Sequence, residues 1–397
     1  MFYYQEVRHK NLVRNLNRRY LAIDASNIRH GGGITHLSQL LKHADKKHIH
    51  FDRVFIWAGK NTLDQLPEKD WLVKKSHYLL NGNLLFRTCW QKFFLKRSIS
   101  KNLCSALFVL GGSIYTSFKP VINFHQNLLP FELNEIKRYG FSLKKIKFFL
   151  LRFIQTYSMK RSNAIIYLSN LSKSVVENTI DRQIKNKVIY HGIEDRFFQL
   201  PKKQELIDFY TEKNPFKIIY ISSVDNYKHQ WNVVEAVASL KDEGYSIRLE
   251  LYGAADQGPL KRLKNVIERH DKEGSYIRYS NEVNFSEIHK VYLNSNLSVF
   301  ASSCETFGQI VLESMASGLP IACSNMSSMK EIVQDGCVYF NPLEVKDIKK
   351  AIKSLLDSPT NRMQVSSKAY NYAKNFSWEK TSIQTFNFLE EIYEEFN

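Results

Sequence analysis

The sequence predicts an α/β protein: two doubly wound, Rossmann-like lobes, each a parallel sheet with helices on both faces, set across a cleft. Three observations carry this. An apolar strand, a glycine turn and a helical pattern open the chain between residues 20 and 42. A second strand–helix alternation begins at Phe216, after a polar stretch. The chain has 397 residues, 44% of them apolar and 13% aromatic, which is enough to build two cores.

Taken in order, Tyr20–Asp24 is the first strand, Arg29-His-Gly-Gly-Gly33 the turn and Ile34–Lys42 the first helix. Apolar runs at Val54–Ala58, Ala106–Val109, Val121–Phe124 and Ala164–Leu168 read as further strands. Residues 142–161 read as a helix, with Ile146, Phe149, Leu150, Phe153, Ile154 and Tyr157 on one stripe. Asp195–Asn214 is a polar linker, so the lobes divide as residues 1–200 and 201–377. The second lobe starts with strand Phe216–Ser222 and continues through helix Gln230–Leu240, strand Ile247–Tyr252 and helix Leu260–Arg269. Strands at Ser275–Tyr279 and Leu297–Ala301 follow, and Glu379–Glu395 is the last helix. In such sheets ligands sit at the carboxyl ends of the strands.

Charge is unevenly placed. Residues 1–200 hold 33 Lys and Arg against 13 Asp and Glu; residues 201–397 hold 23 against 26. A basic half beside a near-neutral one points to an anionic partner, nucleic acid or a membrane surface. Zinc-finger spacing, an RNP-like aromatic motif and a helix-turn-helix are all missing, which argues against nucleic acid. Trp90–Arg97 and Lys144–Arg152 mix cations with large apolar residues, as a segment lying in an anionic interface does; core helices with snorkelling cations have the same composition. Arg97, Lys144, Lys145 and Lys147 are the candidate membrane or acceptor contacts. No apolar run approaches the ~18–20 residues that span a bilayer. Met1–Arg19 is polar and basic with no apolar core, so no secretory signal is expected there. Cys89, Cys104, Cys304, Cys323 and Cys337 are scattered, which predicts a reduced, cytoplasmic compartment.

The most informative segment is Glu305–Ser324. Glu305 lies in a loop, Gly308 opens a helix, and Glu313 sits in that helix's second turn. Ile310, Leu312, Met315 and Ala316 give the helical apolar spacing; Gly318 and Pro320 stop it; Leu319–Cys323 leaves as a strand. This geometry suits a nucleotide-sugar. N–H groups at a helix start attract a diphosphate. A carboxylate before the helix accepts from sugar hydroxyls, and one inside it grips a ribose. A second glycine cluster, Gly31–Gly33, frees backbone for an anion but is not G-x-G-x-x-G, so no dinucleotide is indicated. His125, with Gln126 and Asn127 after it, follows the strand Val121–Phe124 at its carboxyl end, where cleft residues arise.

Glu305-Thr-Phe-Gly308, Glu313-Ser-Met-Ala316 and Gly318-Leu-Pro320 together resemble the E-x7-E signature of the retaining glycosyltransferases of family 4, which have the two-domain GT-B fold, similar to those of bacterial O-antigen and capsule assembly. The resemblance runs from about residue 20 to the C-terminus and is strongest over 217–378. It implies that Glu305 contacts the transferred sugar, that Glu313 binds the donor ribose, and that Phe307, Gly308, Gln309 and Ile310 hold sugar and phosphate. By the same similarity His125 lies beside the transferred sugar, Gly32 and Gly33 face the donor phosphates and the acceptor, Tyr252 at a strand end is a donor contact, and the segment Arg278–Val283 lies towards the nucleobase. Lys228 matches a diphosphate-binding Lys. Ser223 stands where the family commonly has a diphosphate-binding Arg, and Arg29 is the cation proposed to compensate. The last helix, residues 378–397, would cross back onto the first domain.

The reaction this implies moves a hexose-type sugar from a UDP- or GDP-sugar to a hydroxyl of a glycan or polyprenyl-diphosphate-linked glycan, with retention. The enzyme would lie in the cytoplasm, peripheral at the inner face of the membrane. No D-x-D occurs, which fits a site without metal or other cofactor. The alternatives are a GT-B nucleotide-sugar epimerase and a non-catalytic sugar-nucleotide-binding protein.

Overall fold

A computed structural model describes residues 18–29, 31–281, 284 and 286–396. Most of the basic N-terminal stretch, His30 of the glycine turn and Val283 lie outside them. The first sheet has seven parallel strands: β1 Tyr20–Asp24, β2 Arg53–Trp57, β3 Leu72–Lys75, β4 Ala106–Val109, β5 Val121–Phe124, β6 Ala164–Tyr167 and β7 Lys185–Val188, in the order β3-β2-β1-β4-β5-β6-β7. Its inner strands are buried along almost their whole length, because helices cover both faces of a parallel sheet. The strand order reverses beside β1, which opens a crevice at the carboxyl ends of β1 and β4.

The second sheet repeats the plan with six parallel strands: β8 Phe216–Ile221, β9 Ile247–Tyr252, β10 Ile277–Ser280, β11 Leu297–Phe300, β12 Ile321–Ser324 and β13 Val338–Phe340, in the order β10-β9-β8-β11-β12-β13. The inner strands all lie where the sequence predicts strands, within a residue or two. The strands not foreseen, β3 (LVKK), β7 (KNKV) and β13 (VYF), stand at sheet edges, where the polar pattern of a half-exposed strand is weak or the run is short.

The helices used below are α1 Gly32–Lys42, α2 Leu84–Trp90, α3 Lys96–Lys101, α4 Leu143–Lys160, α5 Asn170–Ile180, α6 Gln230–Asp242, α7 Gln257–His270, α8 Gln309–Ala316, α9 Met329–Val333 and α10 Trp378–Phe396. A π-helical segment, Gln91–Leu95, joins α2 to α3. On one face of the first sheet, Leu21 and Ile23 meet Leu37 and Leu40 of α1 and the buried Phe386, Leu389 and Ile392 of α10. The last helix therefore ends the chain on the first lobe, against α1 and β4. The other face carries α2, α3 and α4. The stripe read on residues 142–161 turns outward: Ile146, Phe149, Leu150, Phe153 and Tyr157 are exposed, while Phe148, Gln155, Ser158 and Met159 face the core. Among the described residues no helix is long and apolar enough to cross a membrane.

Candidate active site

Between the lobes lies a cavity of about 400 Å³. The first lobe contributes Gly31, Gly32, Thr35 and His36 from the start of α1, His191 from the loop after β7, and Trp378 from the start of α10. The second contributes Ser222 and Ser223 after β8, Lys228, Phe300, and Glu305, Gly308, Gln309, Ile310 and Glu313 around α8. Both switch points open into this one space.

Gly308 has φ 95°, a left-handed conformation that strains any other residue. It caps α8, and the first-turn N–H groups of Gln309 and Ile310 have no partner inside the helix. The loop after β12 fixes the main chain in front: Ser327 Oγ accepts from Glu305 N–H at 2.6 Å and donates to Glu305 O at 2.7 Å, and Ser328 Oγ lies 3.1 Å from Phe307 O.

The Glu305 carboxylate pairs with Lys228 Nζ, and Lys228 is buried against the rings of Tyr227 and Phe300. The two charges neutralise each other, so neither is left uncompensated in the buried site. Eight residues on, Glu313 is buried and its Oε2 accepts from Tyr292 Oη at 3.0 Å. Burial raises its pKa from the ordinary carboxylate range to about 7, against the opposing pull of Tyr292 and Arg196.

Two cavity groups went unrecognised in the sequence. His36 Nδ1 and His191 Nδ1 lie 3.0 Å apart, so one donates to the other. His36 stacks on Phe124, and His191 meets Phe307 edge-on and lies 5.5 Å from Trp378. Burial lowers His191 to about 3 and His36 well below its ordinary value, so the pair is neutral at physiological pH. The strand-end argument that singled out His125 also applies to His191, but β7 was too polar to read as a strand.

Other candidates sit elsewhere. His125 is buried behind the cavity lining, with Nε2 3.0 Å from Asn127 O and its ring against Phe131 and Tyr167. The carbonyl only accepts, so Nε2 carries the proton; burial lowers this imidazole to about 4. Gly33 packs on Ile28 and Gln126 rather than lining the cavity, and Phe307 is core. Tyr252 bonds Glu250 Oε2 at 2.6 Å and stays off the lining, as does the described part of the base segment. Ser223 does line the cavity, and its carbonyl accepts from Gln230 Nε2 at 2.8 Å. Arg29 does not compensate for it: its guanidinium is held by Gly82 O at 2.6 Å, and among the described lining residues Lys228 is the single Lys or Arg. Lys144 is no surface contact: it bonds Asp225 Oδ2 at 3.0 Å and pairs with Asp256, so it ties α4 to the second lobe. Arg97 and Lys147 are exposed on the first lobe, and Lys145 is half-buried, over the Phe141 ring.

Comparison with known proteins agrees with this architecture. Residues 202–372 match the family model described as Glycosyl transferases group 1, so the second lobe is a domain of that type. O-antigen chain mannosyltransferase B of Escherichia coli is 30% identical over 172 residues, covering 43% of this chain and 44% of that protein. O-antigen chain mannosyltransferase RfbU of Salmonella typhimurium is 25% identical over 244 residues, covering 60% of this chain and 63% of its own. The matched stretches thus span less than two thirds of these relatives. Sucrose-phosphate synthase from Thermosynechococcus elongatus superposes with a TM-score of 0.76 at 14% identity, over 95% of this chain and 100% of that one. WaaG, a glycosyltransferase involved in lipopolysaccharide biosynthesis, gives 0.67 at 12% identity, over 93% and 99%. At these identities the likeness is one of fold, and the fold is GT-B.

Proposed function

We propose that this chain is a retaining glycosyltransferase that moves a hexose-type sugar from a UDP- or GDP-sugar to a hydroxyl of a glycan or lipid-linked glycan in surface-polysaccharide assembly. The observation that carries this is the cavity floor: Glu305, Lys228, the open N-terminus of α8 and the buried Glu313 converge on one space, within a group 1 glycosyl transferase domain. Solved GT-B neighbours include HepE of Anabaena in complex with UDP and glucose, which supports a nucleotide-sugar donor. The O-antigen mannosyltransferase relatives support a glycan acceptor.

In this reading Glu313 accepts from the ribose hydroxyls, Lys228 and the α8 N–H groups hold the diphosphate, and Glu305 accepts from the sugar. With Lys228 given to the diphosphate and Glu305 to the sugar hydroxyls, Glu313 keeps its Tyr292 bond and the histidine pair is neutral. No strong base stands ready. In this reading the acceptor hydroxyl approaches the face from which the diphosphate leaves. The bond from the anomeric carbon to the β-phosphate oxygen breaks, the bond to the acceptor oxygen forms, and the hydroxyl proton passes to the departing phosphate. Lys228 and the helix start carry leaving-group charge without a metal.

A thermal-shift screen of UDP- and GDP-sugars identifies the donor, since a ligand of the folded state raises Tm. With that donor, Glu305→Gln lowers kcat by about 10²–10³ while the fold is kept; unchanged turnover removes Glu305 from the site. An inverted product anomer overturns retention. Ser223 in place of a cation favours the sugar-nucleotide-binding alternative, which donor binding with neither transfer nor hydrolysis would establish.

A further inference from the structure

The helical layer on the face of the first sheet opposite α1 and α10 leaves many large apolar side chains exposed on its outer side. Parallel pairing aligns Ala22 with Leu107, Leu107 with Val121, and Asn123 with Ile165, so these side chains share that face. Trp90, Leu95 and Ile99 of the α2–α3 unit pack on Ala22 and Leu107; Phe148 and Met159 of α4 pack on Ile165. Both units therefore lie side by side on one face. The segment between them is pinned to each: Ile114 N–H donates to Ser158 Oγ at 2.9 Å, and Lys96 Nζ bonds Ser117 Oγ at 3.2 Å.

Their outer surfaces are apolar as well. On α4, Ile146 is 65% and Phe153 72% exposed, with Leu143, Phe149, Leu150 and Tyr157 alongside; on the α2 side, Leu85 is 75% and Phe93 64% exposed. Exposed apolar patches of this kind mark interaction sites.

Charge says what covers it. Residues 71–131 contain no Asp or Glu and eight Lys or Arg; residues 136–176 contain none and nine. Lys92, Lys96, Arg97, Lys147, Lys160 and Arg161 are exposed around the aromatic residues. Lys92 lies over Phe93, Lys145 over Phe141 and Arg161 over Tyr157. A second copy of the chain seated here would set this carboxylate-free surface against itself. Anionic headgroups neutralise the cations while the rings enter the acyl boundary.

We propose that α2–α3 and α4 together form a docking face for an anionic lipid bilayer, with Ile146, Phe149, Phe153, Leu85 and Phe93 entering the interface. The first turn of α4 is tied through Lys144 to Asp225, three residues from Lys228. Docking thus holds the mouth of the cleft near the headgroups, within reach of a lipid-linked acceptor; this last point alone rests on the function proposed above.

The test is flotation of the full chain with vesicles of phosphatidylcholine, and with phosphatidylcholine–phosphatidylglycerol mixtures. The wild type floats with the mixture and is released by salt. Ile146→Asp with Phe153→Asp, and separately Lys92→Glu with Arg97→Glu, weaken binding by at least about tenfold. Each keeps the wild-type melting temperature and nucleotide-sugar shift, so a failed function and a failed docking face are told apart. The proposal is overturned if the wild type stays unbound with the mixture, or if both double variants float like it. Light scattering that finds a dimer dispersed by the Asp variants, without vesicle binding, overturns it in favour of self-association.

Discussion

Glu313 is the residue whose chemistry depends most on its surroundings. Its carboxyl lies near 4.3 in a free chain, and burial in α8 raises it to about 7. A raised folded value means that the protonated form is favoured in the fold. The stability it contributes is full below the free-chain value and is lost as pH rises to about 7. The ligand-free unfolding free energy of the wild type should therefore fall over that window relative to that of Glu313→Gln, by up to roughly 1.4 kcal/mol per pH unit, read as a larger drop in melting temperature. Ribose hydroxyls donate to the ionised form, so nucleotide binding near neutral pH should release a proton and weaken below pH ~7. Calorimetry in buffers of different ionisation enthalpy measures this, and zero proton release would remove Glu313 from the ribose. The residue type and its place in the helix are visible in the sequence; its burial and the Tyr292 bond are not, because Tyr292 comes from a separate helix.

At the scale of elements, the decisive joint is where α10 starts on the loop after β7. A Cβ on Gly192 would lie 2.1 Å from Trp378 N, so only glycine allows this approach. Gly192 O also accepts from Gln309 Nε2 at 3.1 Å, which joins the same turn to α8. Gly192→Ala should displace the start of α10 and cost more than about 3 kcal/mol, read as a lowered urea midpoint; a wild-type midpoint would show that the joint yields freely. Inner strands and long helices were legible here because their apolar periods are strong. Edge strands β3 and β7 were not, and losing β7 hid His191. The outward stripe of α4 was legible as a stripe, but periodicity does not say which of two apolar faces meets the core.

For the whole molecule, the cleft is held by bonds across the lobes. Glu331 at α9 accepts from Asn170 N–H at 2.8 Å and Leu171 N–H at 3.2 Å, placing a carboxylate on the N-terminus of α5. Ser169 Oγ donates to Thr306 O at 2.6 Å, and Tyr139 Oη to Asp225 Oδ1 at 2.9 Å, beside the Lys144 bond. Such bonds are worth about 1 kcal/mol each, so Lys144→Ala with Glu331→Ala should raise the donor KM about tenfold. The same variant should enlarge the radius of gyration in ligand-free X-ray scattering, with saturating donor restoring it; an unchanged radius would mean that the lobes are held otherwise. The sequence by itself determined the two-lobe α/β plan, the Glu305–Glu313 unit and the basic first half, because each is written in local spacing or composition. Only the tertiary structure decided that Lys228 meets Glu305, that His36 meets His191, that Arg29 and Lys144 are engaged elsewhere, and that α4 shows its rings to solvent. Those are contacts and orientations between segments far apart in the chain, set by how sheets and helices pack rather than by the order of residues within any one of them.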